Sequence, residues 1–185
     1  REKSTNIDHY NDNRRELDKR ITDEANTFID EHVDITKSKS IVIYDESWHK
    51  GVIGIVASRL TEKYLRPAVV LTKSQGLITG SARSVMGFDV YKAIESCKDI
   101  LENFGGHTYA AGLSLREENL AEFKRRFEEL STKIIAPEMM MPQIDVDAEL
   151  PFKDINSKFM EELAHMAPFG PENENPIFVT RNVQD

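Results

Sequence analysis

Phe104-Gly105-Gly106-His107-Thr108-Tyr109-Ala110-Ala111-Gly112 is the stretch around which this 185-residue chain is arranged. Two adjacent glycines deliver a histidine, a small-residue run follows, and an apolar strand-like tail, Leu113 to Leu115, comes next. Glycine admits backbone conformations and close approaches that a Cβ would block. A Gly-Gly-His corner therefore suits a place where main-chain N–H groups and an imidazole meet a ligand together. The same residues also suit a plain tight turn with an incidental histidine, and a glycine motif by itself does not separate the two. Ala110-Ala111-Gly112 tips the balance, because small side chains beside the turn leave room for another backbone or a substrate.

Working back from the corner, Gly87 and Asp89 open a predicted helix with Val90, Tyr91, Ile94, Cys97 and Leu101 turned inward. Before it lie two predicted strands, Ala68 to Thr72 and Leu77 to Ser81, joined by the hairpin-like turn Lys73-Ser74-Gln75-Gly76. The second strand runs into Gly80-Ser81-Ala82-Arg83-Ser84, which places two hydroxyls and a guanidinium at a strand end. Arginine presents forked donors matched to phosphate, although a surface arginine after a strand is common. Further back, Ile41 to Tyr44 is a short β-type run. Trp48-His49-Lys50-Gly51 follows, then a helix from about Val52 to Tyr64 that Arg66-Pro67 ends. Strand, loop and helix N-terminus in that order make a candidate anion site, because the first N–H groups of a helix lack internal partners. The bland alternative is a βα turn in which Trp48 anchors the core.

At the N-terminus, Ile7, Tyr10, Arg14, Leu17, Ile21, Ala25 and Phe28 recur with three-four spacing. They predict one long helix to about Val33, on the order of 40 Å, whose narrow stripe suits a bridge between domains. We expect it to project from the domain that follows, part of its stripe lacking a partner.

Beyond the corner, Glu117-Glu118-Asn119 starts a helix with Leu120, Phe123, Phe127 and Leu130 on one face, and Lys124-Arg125-Arg126 reads as its wet face. Pro137 and Pro142 bracket Met139-Met140-Met141, where composition changes. Ile144 to Leu150 alternates strictly and predicts a strand. A short helix from about Ile155 to Met166, the loop Pro168-Phe169-Gly170-Pro171-Glu172-Asn173 and a strand from Ile177 to Thr180 complete the chain. Asp145, Asp147 and Glu149 share the exposed face of a period-2 strand and read as solvated carboxylates rather than metal ligands. The expected organisation is a long connector helix over 1–37, an α/β domain with a mixed sheet flanked by helices over 38–141, and an incomplete segment over 142–185.

Composition bounds the function classes. A hydrophobic fraction of 39% with 30% charged residues fits a soluble globular protein. There is no run of about 18 apolar residues for a membrane span and no basic-then-apolar start, so neither a span nor a signal peptide is expected. The single Cys97 excludes a disulfide framework and sits on an apolar stripe; a cytoplasmic origin is expected. The net charge of −8 argues against a generic polyanion binder, yet His49 to Leu115 holds 8 basic and 5 acidic residues, so the middle could face a phosphate between acidic flanks. The chain opens on Arg1 and stops just after an apolar run, and we expect it to be a piece of a longer protein.

Trp48-His49-Lys50-Gly51-Val52-Ile53-Gly54-Ile55-Val56-Ala57-Ser58-Arg59-Leu60, Gly80-Ser81-Ala82-Arg83-Ser84 and Phe104-Gly105-Gly106-His107, with Ala110-Ala111-Gly112, follow in this order. Together they closely resemble the DHH-associated domain of the bacterial RecJ family of single-strand-specific exonucleases. Ala167-Pro168-Phe169-Gly170-Pro171 resembles the entry to that family's OB-type nucleic-acid-binding domain, and the first helix its connector between two catalytic lobes. The resemblance covers nearly the whole chain, and three motifs in fixed order are far more specific than any one.

What the resemblance implies is part of a 5′→3′ exonuclease acting on single-stranded DNA in recombination and repair. The family uses Mn2+ or Mg2+ to activate a water for phosphodiester hydrolysis, bound in an N-terminal lobe that carries Asp-His-His. No Asp-His-His occurs in this sequence, so no metal is expected here, and the chain is expected to be catalytically silent alone. By the resemblance, His107 binds the scissile phosphate across the cleft from those metals. Ser81 and Arg83, with Ser84, line a pocket for the 5′-phosphate, Gly105 and Gly106 carry the His107 corner, and Trp48, His49 and Gly51 shape the cleft wall. Implied partners are single-stranded DNA and the DHH lobe of the same protein, with a single-strand-binding protein or a helicase by family analogy. Two other readings are a DHH-family phosphoesterase lobe acting on oligoribonucleotides or cyclic dinucleotides, and a non-catalytic nucleic-acid-binding module. The long connector and the OB-like tail do not suit the first of these.

Overall fold

A computed structural model describes residues 2–142 and 144–183, with side chains from residue 14 on. It divides into two compact units, Arg1–Met141 and Pro142–Asp185. In the first, α1 (Glu2–His32) is followed by β1 (Ile41–Tyr44), α2 (Ile53–Tyr64), β2 (Ala68–Ser74), β3 (Leu77–Arg83), α3 (Val90–Glu95), β4 (Leu101–His107), β5 (Ala110–Leu115) and α4 (Leu120–Ile134). The strands form one mixed sheet in the order β1-β2-β3-β5-β4. β1 and β2 are parallel, and α2 supplies the crossover that parallel neighbours need; the other pairs are antiparallel. The β2–β3 hairpin turns on Gln75 (φ 53°) and Gly76 (φ 80°), consecutive positive-φ residues whose twist matches that of the strands they join.

Alternation along the strands divides the core between the two faces of this sheet. Val69, Leu71, Ile78, Ala82, Ala111, Leu113 and Leu115 point one way, against Phe88, Val90 and Ile94 of the α3 region and Phe123 and Phe127 of α4. Ile41, Ile43, Ala68 and Val70 point the other way, against Val56, Ala57 and Leu60 of α2 and Ile21, Ala25 and Ile29 of α1. The second cluster stops at β2. On that same face β3, β5 and β4 present polar and small residues instead, which leaves the site face open.

Three expectations change. The predicted helix from Gly87 to Leu101 ends early: Asp89 caps α3 by accepting the Lys92 N–H at 3.0 Å, and the helix stops at Glu95. From Leu101 the chain is an edge strand paired with β5, so the Gly-Gly-His stretch lies at the end of a strand. Cross-strand packing outweighs its two glycines: Leu101 lies opposite Leu115, and Phe104 opposite Leu113 with its ring 5.9 Å from that of Tyr91. The first helix does not project from Leu17 onward, because Ile21, Ala25 and Ile29 are fully buried against α2. Ile7 and Tyr10 lie outside the described side chains. The alternating run Ile144 to Leu150 forms a strand only at Ala148–Glu149 (β6), parallel to Phe178–Val179 (β7). Ile144 is 71% exposed, so the alternation has no apolar surface to face. In this second unit α5 (Ser157–His165) is capped by Asn156, which accepts the Phe159 N–H at 3.1 Å, and Phe159 packs edge-on to Phe178.

A polar clamp fixes α1 to α2. Asp18, buried on α1, accepts a 2.7 Å hydrogen bond from Nη2 of Arg59 on α2 and a 3.3 Å bond from Thr22 Oγ1. Arg59→Ala strands that carboxylate. We expect a loss of about 1–2 kcal/mol, held to that by the exposure of the guanidinium, read as a fall in the urea midpoint at unchanged m-value. An unchanged midpoint would mean that the apolar stripe alone docks the helix.

Candidate functional site

The pairing register assembles the site. Arg83 of β3 lies opposite Ala110 of β5, and Ala110 opposite His107 of β4. Directly opposed residues share a face, so Arg83 and His107 stand on one side of the sheet two strand spacings apart, about 10 Å between Cα atoms. The next row on the same face is Ser81, Gly112 and Gly105. Its two glycines are exposed and bare: a Cβ on Gly105 would meet nothing within 4 Å, and one on Gly112 only the Gly80 carbonyl oxygen at 3.8 Å.

The start of α2 lies over the β3 end of these rows. A Cβ on Gly54 would stand 3.0 Å from Arg83 Nη2 and 3.4 Å from Ser81 Oγ. The helix has no side-chain cap at Val52 and no acidic residue in its first turn. A helix N-terminus carries partial positive charge and N–H groups without internal partners, and Gly54 brings this one beside Arg83 and Ser81. Arg83 Nη1 donates to the Ala82 carbonyl at 2.8 Å, and no carboxylate pairs with this guanidinium among the described residues. Arg66, by contrast, is consumed by the carbonyls of Ser38, Tyr64 and Ile35. Arg83 is thus poised to accept an anion, whereas Arg66 holds the fold together.

Gly106 is the fixed point of the histidine corner. Its φ is +149°, and a Cβ would lie 2.4 Å from the Ala110 carbonyl oxygen and 2.5 Å from the Ala111 Cα. His107 is exposed, and its Nδ1 accepts the Tyr109 N–H at 3.4 Å. That bond fits the neutral tautomer with the proton on Nε2, a donor without a partner among the described residues.

Two sequence-derived assignments move. The Trp48 ring is 4% exposed in the α1–α2 core and donates from Nε1 to Glu24 at 3.0 Å, so it anchors the fold and does not wall a cleft. Its large apolar area outweighs a surface role. Ser84 Oγ donates to the Phe88 carbonyl at 2.5 Å and so latches the loop after β3 instead of facing a ligand. His49 and Gly51 are exposed just before α2, with the Gly51 N–H bonded to His49 Nδ1 at 3.0 Å. Cys97 is buried, and its desolvated thiol is pushed above its ordinary pKa, so it is inert.

The DHHA1 domain family matches residues 37–133, over half of the chain, and the RecJ OB domain matches residues 146–185. The chain belongs to the DHHA1 domain family. The DHHA1 chain is 34% identical over 98% of its length to the single-stranded-DNA-specific exonuclease RecJ of Bacillus subtilis, covering 23% of that protein. It is 31% identical over 93% of its length to RecJ of Escherichia coli, covering 31% of that one. The crystal structure of RecJ in complex with Mn2+ from Thermus thermophilus superposes with a TM-score of 0.79 and 29% identity over 95% of this chain and 25% of that one. The DHHA1 chain thus spans about a quarter to a third of the relatives it matches. RecJ of Thermus thermophilus has also been solved with Mg2+.

Among the described residues of the DHHA1 chain, no group of three or more His, Cys, Asp or Glu side chains could hold a metal ion. The described residues therefore do not fit such an ion. Asp147 Oδ2 instead accepts the Ile177 N–H at 2.8 Å, and Glu149 pairs with Arg181 at 3.1 Å. No described helix is long and apolar enough to cross a membrane. Gly54, like Gly51 a glycine that permits close approach, stands inside α2 where it packs against Arg83 and Ser81 of β3. Tyr109, beside His107, has no role assigned from the sequence.

Proposed function

We propose that this chain is the substrate-binding part of a metal-dependent, single-stranded-DNA-specific 5′→3′ exonuclease that hydrolyses phosphodiester bonds in recombination and repair. The observation that supports it most is the row Arg83–Ala110–His107 on an open sheet face, with the start of α2 above Arg83 and bare glycines beside it. Arg83, Ser81 and the first turn of α2 together offer forked, hydroxyl and main-chain donors to a terminal phosphate. His107 Nε2–H donates to the next phosphate along, and Gly105 and Gly112 let the linking sugar approach the sheet backbone. Divalent metal would come from a lobe outside this chain and supply the activated water; the residues here bind and orient the strand. On this account the isolated chain binds single strands without cutting them, with the N-terminal lobe and single-strand-binding or helicase proteins as partners of the whole enzyme.

The test uses the full-length enzyme with Mn2+ and 5′-phosphorylated single-stranded DNA. His107→Ala is expected to lower kcat about a hundredfold, the scale of removing one donor to a reacting phosphate. The melting temperature should hold, because the ring is exposed and bonded only through one 3.4 Å contact. A lower melting temperature with full activity would make His107 a turn residue and remove it from the site.

A further inference from the structure

Among Phe, Tyr and Trp in the described residues 14–141, Tyr109 alone falls in the exposed class, at 56% of its full exposure, and it makes no ring contact among them. Its backbone is held at both ends. The N–H bonds to His107 Nδ1 at 3.4 Å, and the carbonyl accepts the Ser84 N–H at 3.0 Å. The loop that follows Arg83 is tied to the same hairpin a second time by the Val90 N–H on the Thr108 carbonyl at 3.0 Å. That loop carries Met86, 71% exposed. A rigid hairpin and a doubly tethered loop therefore display an aromatic ring and a thioether at the sheet end that also carries Arg83 and His107. Folding gains little from this, because most of both side chains stays in solvent.

We propose that Tyr109 is a stacking ledge for the nucleobase attached to the phosphate that His107 holds, a proposal that rests on the single-strand-binding function above. Arg83 and His107 address phosphate, which single and double strands share, so they cannot tell the two apart. A base can lie on an aromatic face only when it is unpaired and turned out of a duplex. Stacking is also tolerant of sequence, because every base has a π-face. Tyr109 thus supplies a preference for single strands that the phosphate contacts lack. Its place two residues after His107 puts its Cα within about 7 Å of that of His107, the range of a base joined through its sugar to the bound phosphate.

The experiment measures binding by the full-length enzyme in EDTA, using 5′-phosphorylated oligothymidylate and a series carrying one abasic tetrahydrofuran unit at each of the first positions in turn. Tyr109→Ala is expected to weaken binding to the intact strand about tenfold, and Tyr109→Phe to retain it. One abasic strand should already show that loss with the wild type, and Tyr109→Ala should add nothing further on it. Equal losses on intact and abasic strands would mean that Tyr109 packs against another part of the protein, and would overturn the ledge. No loss on any strand would do the same, provided Arg83→Ala still weakens binding. If the wild type binds none of the strands, the ledge falls together with the function it rests on.

Discussion

Gly106→Ala is expected to be severely damaging to the domain, lowering stability by about 3 kcal/mol or more. The new methyl would lie 2.4 Å from the Ala110 carbonyl oxygen and 2.5 Å from the Ala111 Cα. Both are main-chain atoms in the paired strand, so no rotamer change relieves the clash. The φ of +149° adds strain of its own, since only glycine adopts it freely. Relief requires β4 to part from β5 at Gly106–Ala111, which carries His107 away from Arg83. Gly105→Ala is the internal control. Its Cβ would enter open space, so the fold should stay as stable or gain a few tenths of a kcal/mol from a stiffer unfolded chain. Binding of a strand should nevertheless fall, because the methyl occupies the shelf over which the sugar passes. Thermal unfolding and oligonucleotide binding on both variants separate the two effects. A Gly106→Ala protein with wild-type stability would show that the corner is looser than its geometry, and a Gly105→Ala protein with full binding would take the bare shelf out of the site.

Arg83→Ala is expected to erode discrimination between 5′-phosphorylated and 5′-hydroxyl single strands in the full-length enzyme by about tenfold to a hundredfold. A terminal phosphate carries more charge and more free oxygens than a bridging one, and a guanidinium fork beside a serine hydroxyl suits it. Charge-assisted hydrogen bonds contribute roughly 1.5–3 kcal/mol each, at about 1.4 kcal/mol per decade. The guanidinium has one main-chain bond and no carboxylate among the described residues, so its removal should leave stability nearly untouched. Gly54→Ala probes the same point from above, because its methyl would press on Arg83 Nη2 at 3.0 Å. A general backbone contact predicts something different: equal loss on both substrates and a shallower salt dependence. Measuring both substrates at two salt concentrations decides between end recognition and strand grip.

The parts of the fold that were legible in the sequence are those written locally. The apolar face of α2, the break at Arg66-Pro67, the Gln75-Gly76 turn and the amphipathic α4 all depend on residues within one or two turns of each other, and each stands where its pattern predicts. The three motifs were legible for the same reason. Each is contiguous, and Gly-Gly-His, Ser-Ala-Arg and the glycine-bearing start of α2 stand out as candidates without their neighbours.

What lay beyond reach was long-range. Leu101–His107 lacks a strand's composition and becomes one because β5 completes its ladder and Leu113 covers Phe104. Trp48 and Ser84 are chemically fit for a ligand, and only packing turns the first into a core anchor on Glu24 and the second into a latch on the Phe88 carbonyl. The pairing of Arg83 with Ala110 and of Ala110 with His107 is likewise a matter of register between distant strands. The amino-acid sequence by itself determined most of the helices, the β2–β3 hairpin, the mixed α/β class and which side chains carry donors matched to phosphate, because propensity, periodicity and turn chemistry act over a few residues. Only the tertiary structure decided which of those residues meet, because shifting a strand by one residue turns every side chain to the opposite face, and the apolar burial that holds the register, two-sided at β1 and β2 and one-sided at β3 and β5, comes from elements distant in the chain.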